Sequence, residues 1–139
     1  MKLLDTNVVV YAIGGPHPYM EPCRRLLQDI AQGSNDYAID VELLQEVLHI
    51  YSYRARRREA IHVFDRLIRV FPHPLPVREE EVKQARELLD RYERLSPRDA
   101  IHAAVVQAHD LEGIITTDRT FREIRGLAVF DPKDVVTGR

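Results

Sequence analysis

Apolar positions along the chain fall into two alternating kinds of segment. Four runs are short, mainly apolar and free of internal turn residues: Lys2–Leu4, Tyr37–Ile39, Gly113–Thr116 and Leu127–Phe130. Runs of this length predict strands buried on both faces. Between them, apolar residues recur at helical spacing. Leu26, Leu27, Ile30 and Ala31 mark a helix over Tyr19–Gln32, with Gly33 as its stop. Leu43/Leu44, Val47/Leu48 and Ile50/Tyr51 mark another over Val41–Tyr53, with Asp40 in front as N-cap. Arg58–Val70 repeats Ala60/Ile61, Phe64 and Leu67/Ile68. Glu79–Tyr92 repeats Val82, Ala85, Leu88/Leu89 and Tyr92 behind three glutamates, which suit the positive end of a helix dipole. Pro97–Leu111 opens with Ser96 as N-cap, Pro97 at N1 and Asp99 at N3, and carries the stripe Ile101, Ala104/Val105, Ala108, Leu111.

Strand, helices, strand, helices, strand, helix, strand is an α/β order. It predicts a small, mostly parallel sheet with helices on both faces. A chain of 139 residues suits one domain over 1–139. The stretches Gly14-Gly15-Pro16-His17-Pro18 and Pro72-His73-Pro74-Leu75-Pro76 then read as loops within it. Lys+Arg is 20 against 22 Asp+Glu, a formal net charge of -2, which excludes a histone-like basic binder but not a local basic rim around an acidic centre. The single cysteine, Cys23, excludes an intramolecular disulfide and fits a reducing cytosol, so a cytoplasmic protein is expected. No apolar run approaches the roughly 20 residues of a membrane helix, and Asp5 interrupts the start, so neither a membrane partner nor a signal peptide is expected.

In parallel sheets, ligands bind beyond the carboxyl ends of the strands. Asp5 follows the first strand and Asp118 the third, so both are expected to open into one crevice. Asp99 lies in the first turn of its helix, about 200° around from Ile101 and on the stripe of His102, Val106 and His109. Glu46 sits amid Leu43, Leu44, Val47, Leu48 and Ile50, with no Lys or Arg three or four residues away to pair with it. Each acid has a plain structural use as a cap, a capping-box member or a helix-edge residue. Convergence of all four would change the reading. Two carboxylates about 4 Å apart repel by roughly 4 kcal/mol at an effective dielectric near 20. A divalent cation relieves that repulsion, and oxygen ligands without thiolate favour Mg²⁺, or Mn²⁺, over zinc. Such an ion activates water and neutralises a phosphodiester in transition.

These acids stand in segments that resemble the PIN-domain family, and more narrowly its VapC-type toxin ribonucleases. The resemblance is carried by Leu4-Asp5-Thr6-Asn7-Val8, by Glu46 in Leu43-Leu44-Gln45-Glu46-Val47-Leu48, and by Asp99 in Ser96-Pro97-Arg98-Asp99-Ala100-Ile101-His102-Ala103-Ala104. Thr116-Thr117-Asp118-Arg119-Thr120-Phe121 and the ending Gly126-Leu127-Ala128-Val129-Phe130-Asp131-Pro132 complete it. The resemblance spans essentially the whole chain, in order and spacing. It implies a three-layer α/β/α fold and metal-dependent cleavage of single-stranded RNA by an attacking water. It implies that Asp5 and Asp99 hold the principal Mg²⁺, with Glu46 and Asp118 completing the acidic site through a second ion or ordered waters. Asn7 and Thr117 become supporting polar groups that orient the acids. A homodimer and a small inhibitory antitoxin are the implied protein partners.

Arg outnumbers Lys 17 to 3, and arginine suits bidentate phosphate contacts. Arg54, Arg56 and Arg57 in the Arg54–Arg58 cluster, and Arg98 beside Asp99, are therefore candidate RNA contacts. A solvated inter-helix turn is the favoured reading of the cluster. Glu46-x-x-His49 and Asp99-x-x-His102 resemble the ligand pattern of di-iron bundles, but the strand signals at Lys2–Leu4 and Gly113–Thr116 oppose a four-helix architecture. A phosphotransferase with Asp5 as nucleophile would want an acid where Asn7 stands. The non-enzymatic alternative is a PIN-like scaffold that only binds RNA or a protein.

Overall fold

The computed structural model describes residues 1–53 and 55–137. Strand β1 (Lys2–Leu4) leads into helix α1 (Thr6–Ile13) and then α2 (Met20–Ala31). Strand β2 (Tyr37–Ala38) is followed by α3 (Val41–Tyr53), α4 (Arg57–Val70), α5 (Glu79–Arg91) and α6 (Pro97–Ala108). Strand β3 (Gly113–Ile115), a 3-10 turn (Arg119–Glu123), strand β4 (Val129–Phe130) and α7 (Pro132–Thr137) complete the order. All strand pairs are parallel, in the order β2-β1-β3-β4. This is the expected α/β/α arrangement, and the two strands followed by Asp5 and Asp118 are the central pair.

Alternation along the central strands divides the apolar core in two. Leu4 and Ile115 face a layer that includes Val8 and Val9 of α1, Cys23 and Leu26 of α2, Leu43 and Val47 of α3, and Val63 and Leu67 of α4. Leu3 and Ile114 face the opposite layer, built on Ala85 and Leu88 of α5 and Ala100, Ala103 and Ala104 of α6. The small residues of α6 let its backbone lie close to the sheet. At Gly113 the packing is tighter still, since a Cβ there would lie 2.2 Å from the Ala128 carbonyl oxygen.

The main departure from expectation is α1. Its sequence, Thr6-Asn7-Val8-Val9-Val10, is rich in β-branched residues with low helix propensity. Tertiary burial of Val8, Val9 and Ala12, together with capping by Asp5, overrides that preference. Helix α7 is likewise unmarked by the apolar pattern; it opens at Pro132, and Asp131 accepts the Lys133 N–H at 2.8 Å. The Pro72–Pro76 stretch is a connection, yet Leu75 bridges to Asp40 and lengthens the sheet edge beside β2. Among the described residues no helix is long and apolar enough to cross a membrane.

Candidate active site

Parallel strands bring their carboxyl ends to one edge, and the acids gather there. Asp5 leaves β1 and caps α1: one carboxylate oxygen accepts the Thr6 N–H at 2.7 Å. The other accepts the Thr116 hydroxyl at 2.6 Å. Thr116, just past β3, in turn accepts the Asn7 amide at 3.1 Å and the Asp118 N–H at 3.0 Å. Asp118 caps the 3-10 turn through the Thr120 N–H at 2.9 Å. Asp99 sits in the first turn of α6, where its N–H donates to the Ser96 side chain at 3.2 Å. So the plain capping uses of Asp5 and Asp118 are realised, and they aim both residues at the same edge.

The energetics of this edge are unfavourable to its own charges. Burial pushes the Asp99 carboxyl up to about 6; the neighbouring Asp5 and Asp118 carboxylates add to the rise, while His102 and the Ser96 hydrogen bond oppose it. Asp5 is also raised, first by burial and then by Glu46, against the lowering effects of His102, Thr116 and Thr6. Glu42, one turn before Glu46 on α3, is raised by burial and by Glu46 and Asp40.

A buried histidine stands in the middle. His102 of α6 is 0% exposed. Its Nδ1 lies 2.7 Å from an Asp40 oxygen and its Nε2 2.7 Å from Oε1 of Glu46. The same Nε2 is 3.4 Å from the Thr6 hydroxyl and 3.8 Å from Asp5. Burial alone would lower its pKa; attraction to and hydrogen bonding with Asp40, hydrogen bonding with Glu46 and the charge of Asp5 outweigh it and hold it well above 6.5. Each ring nitrogen thus faces a carboxylate oxygen at 2.7 Å, an arrangement that favours the protonated ring. Asp40 is equally enclosed, at 0% exposure, and its other oxygen accepts the Leu43 N–H at 2.9 Å.

Three sequence expectations change here. Glu46 does have a cation partner, but it comes from α6 rather than from its own helix, with Arg98 a second at 3.7 Å. Part of the negative charge is thus neutralised internally, so a dication is not the sole means of tolerating the cluster. The hydroxyl that orients Asp5 belongs to Thr116 rather than Thr117, which is only partly buried. The sequence pattern alone does not mark His102, Asp40 and Glu42 as site residues. The signals available were a histidine on the Asp99 stripe and an N-cap at the carboxyl end of a strand. The other histidine of the di-iron pattern, His49, is exposed and stacks on Tyr53.

Of the candidate RNA contacts, Arg98 lies at the acidic edge. Arg56 pairs with Glu59 and lies over the Tyr51 ring, and Arg57 is exposed at the start of α4. Helix α3 carries that turn roughly 10 Å beyond Glu46. Arg54 lies outside the described residues.

Among the described residues, no three His, Cys, Asp or Glu side chains are drawn in to metal-binding distance. The donor set nevertheless suits a hard divalent ion. Asp5, Asp99 and Asp118 offer oxygen alone, and Asp5 and Asp99 resist ionising without a further cation. The Asn7 side-chain carbonyl is buried with no hydrogen-bond partner, while its amide donates to Thr116, the hydroxyl that holds Asp5.

Comparison with known proteins agrees with this fold. The family model described as PIN domain matches residues 2–127. Ribonuclease VapC13 of Mycobacterium tuberculosis is 39% identical over 128 residues, covering 91% of this chain and 97% of its own length. Ribonuclease VapC23 of the same organism is 32% identical over 120 residues, covering 86% and 94%. In fold, the chain resembles M. tuberculosis VapC20, described as a sarcin-ricin loop cleaving toxin, with a TM-score of 0.74, 20% identity and coverage of 92% and 97%. It also resembles a chain of Rickettsia felis VapBC2 bound to a promoter DNA fragment, with a TM-score of 0.71, 20% identity and coverage of 94% and 97%.

Proposed function

The chain belongs to the PIN-domain family, among its VapC-type ribonucleases, and from that premise we propose that it is a divalent-metal-dependent endoribonuclease cutting single-stranded RNA, the toxin of a toxin–antitoxin pair. The observation that carries the reading is the gathering of Asp5, Asp99 and Asp118 at one sheet edge, where burial and mutual repulsion raise Asp99 to about 6. Mg²⁺ or Mn²⁺ held there would supply an activated water and a counter-charge for the phosphodiester.

The chain's own residues divide the remaining work. Asp5 and Asp99 are the ion's principal carboxylates, and Asp118 stands beside them. Thr116 fixes the Asp5 carboxylate by its 2.6 Å hydrogen bond, and Asn7 fixes Thr116. Glu46, held through one oxygen by His102 and facing Arg98 with the other, stands close to Asp5 and completes the acidic site. Arg98, half exposed at the rim, is placed to meet a phosphate. A solved toxin–antitoxin complex of Klebsiella pneumoniae that shares this fold supports a small antitoxin as the partner. A homodimer is part of the same proposal.

The test is direct. Purified protein should cleave RNA with Mg²⁺ and stop in EDTA. Asp5→Asn and Asp99→Asn should each lose at least a hundredfold in rate while melting cooperatively. Unchanged cleavage in both variants would overturn the site assignment, and RNA binding without scission under any divalent metal would favour a scaffold.

A further inference from the structure

We propose that Asp40 and His102 are positioning residues for Glu46, forming a buried chain that fixes one oxygen of that carboxylate and leaves the other for the site. The inference rests on the ribonuclease reading and adds two residues to it.

The geometry is unusually closed for side chains from three separate segments. Asp40 lies at the carboxyl end of the β2 edge, Glu46 in α3 and His102 in α6, so α3 and α6 are tied together across the pocket. Both ring nitrogens of His102 are committed, each at 2.7 Å, and the ring has no exposed surface. Asp40 is fixed in turn, because its second oxygen caps α3 through Leu43 at 2.9 Å. The imidazole therefore has one orientation, and Glu46 Oε1 has one partner. Oε2 faces Arg98 at 3.7 Å, toward the rim.

A long carboxylate side chain would otherwise rotate, and in an acidic pocket it would turn away from Asp5. The chain of hydrogen bonds removes that freedom. Outer groups that orient site carboxylates and histidines typically contribute 10–100-fold to metal affinity or activity. A capping role alone explains one oxygen of Asp40. It does not explain why the other meets a buried imidazole that reaches on to Glu46.

Asp40→Asn separates the two roles, because asparagine caps helices as well as aspartate does. The predicted result is a kcat 10–100-fold below wild type with KM for RNA unchanged, a melting temperature in EDTA within a few degrees, and weaker calorimetric binding of Mn²⁺. His102→Gln, if it folds, should shift kcat and Mn²⁺ affinity in the same direction. Wild-type values in Asp40→Asn would overturn the inference. So would opposite shifts in Mn²⁺ affinity for the two variants, the signature of simple charge removal, since one loses an anion and the other a cation. A wild-type chain that binds no Mn²⁺ and cuts no RNA contradicts the underlying reading instead.

Discussion

At the level of single residues, the acidic edge costs the fold stability. Asp99 is held near 6, so its charge at neutral pH opposes folding. Asp99→Asn removes that charge. In EDTA the variant should melt a few degrees higher than wild type, about 1 kcal/mol once solvent screening of a partly exposed group is allowed for. Mg²⁺ should then stabilise wild type and not the variant. A lower melting temperature for Asp99→Asn in EDTA would show that Asp99 supports the fold instead. Thr116 and Thr117 form a second contrast. Thr116→Val strands an Asp5 oxygen and the Asn7 amide, costing about 1–3 kcal/mol in urea unfolding, whereas Thr117→Ala should change stability by about 0.5 kcal/mol or less. Equal effects would place the orienting hydroxyl wrongly.

Among elements, β3 packs tightly at Gly113 against β4 and the residue that leads into it. Gly113→Ala forces a methyl to within 2.2 Å of the Ala128 carbonyl oxygen, so β4 must move. Chemical denaturation should show a loss of about 1–3 kcal/mol, with no loss for Gly15→Ala, where nothing lies nearby. An unaffected Gly113→Ala would mean that β4 yields freely. The longer elements were readable in the sequence because stripe and cap agreed. Asp40 before Leu43/Val47 marked α3 without error, and Ser96-Pro97 marked the start of α6. Helix α1 was hidden because Val8-Val9-Val10 prefer extended backbone and only burial against Leu4 and α2 reverses that. Asp5 and Asp118 were placed at strand ends by topology alone. The His102 pairings were invisible, because Asp40, Glu46 and His102 are 56 and 62 residues apart across the α6 contacts and no local pattern joins them.

For the molecule as a whole, the raised groups share one sign. Asp5 and Asp99 bind protons more tightly in the folded chain than in the unfolded one. His102, held well above 6.5, adds stability that is complete below that value and is lost as pH rises through its folded value. In EDTA, stability should therefore fall from about pH 5 to pH 8. The stabilisation gained from Mg²⁺ should grow over the same interval, since Asp99 gives up its proton near 6. A metal-free melting temperature that rises steadily across this window would mean that these groups ionise freely in the fold. The central claim is that two layers of helix packed on a parallel sheet bring Asp5, Asp99 and Asp118 to one edge, where Asp5 and Asp99 hold a divalent ion. Anomalous diffraction from crystals grown in Mn²⁺ tests it most directly. A manganese peak bonded to Asp5 and Asp99 is the predicted result; a peak elsewhere, with these carboxylates bare in protein that still cleaves RNA, would contradict it.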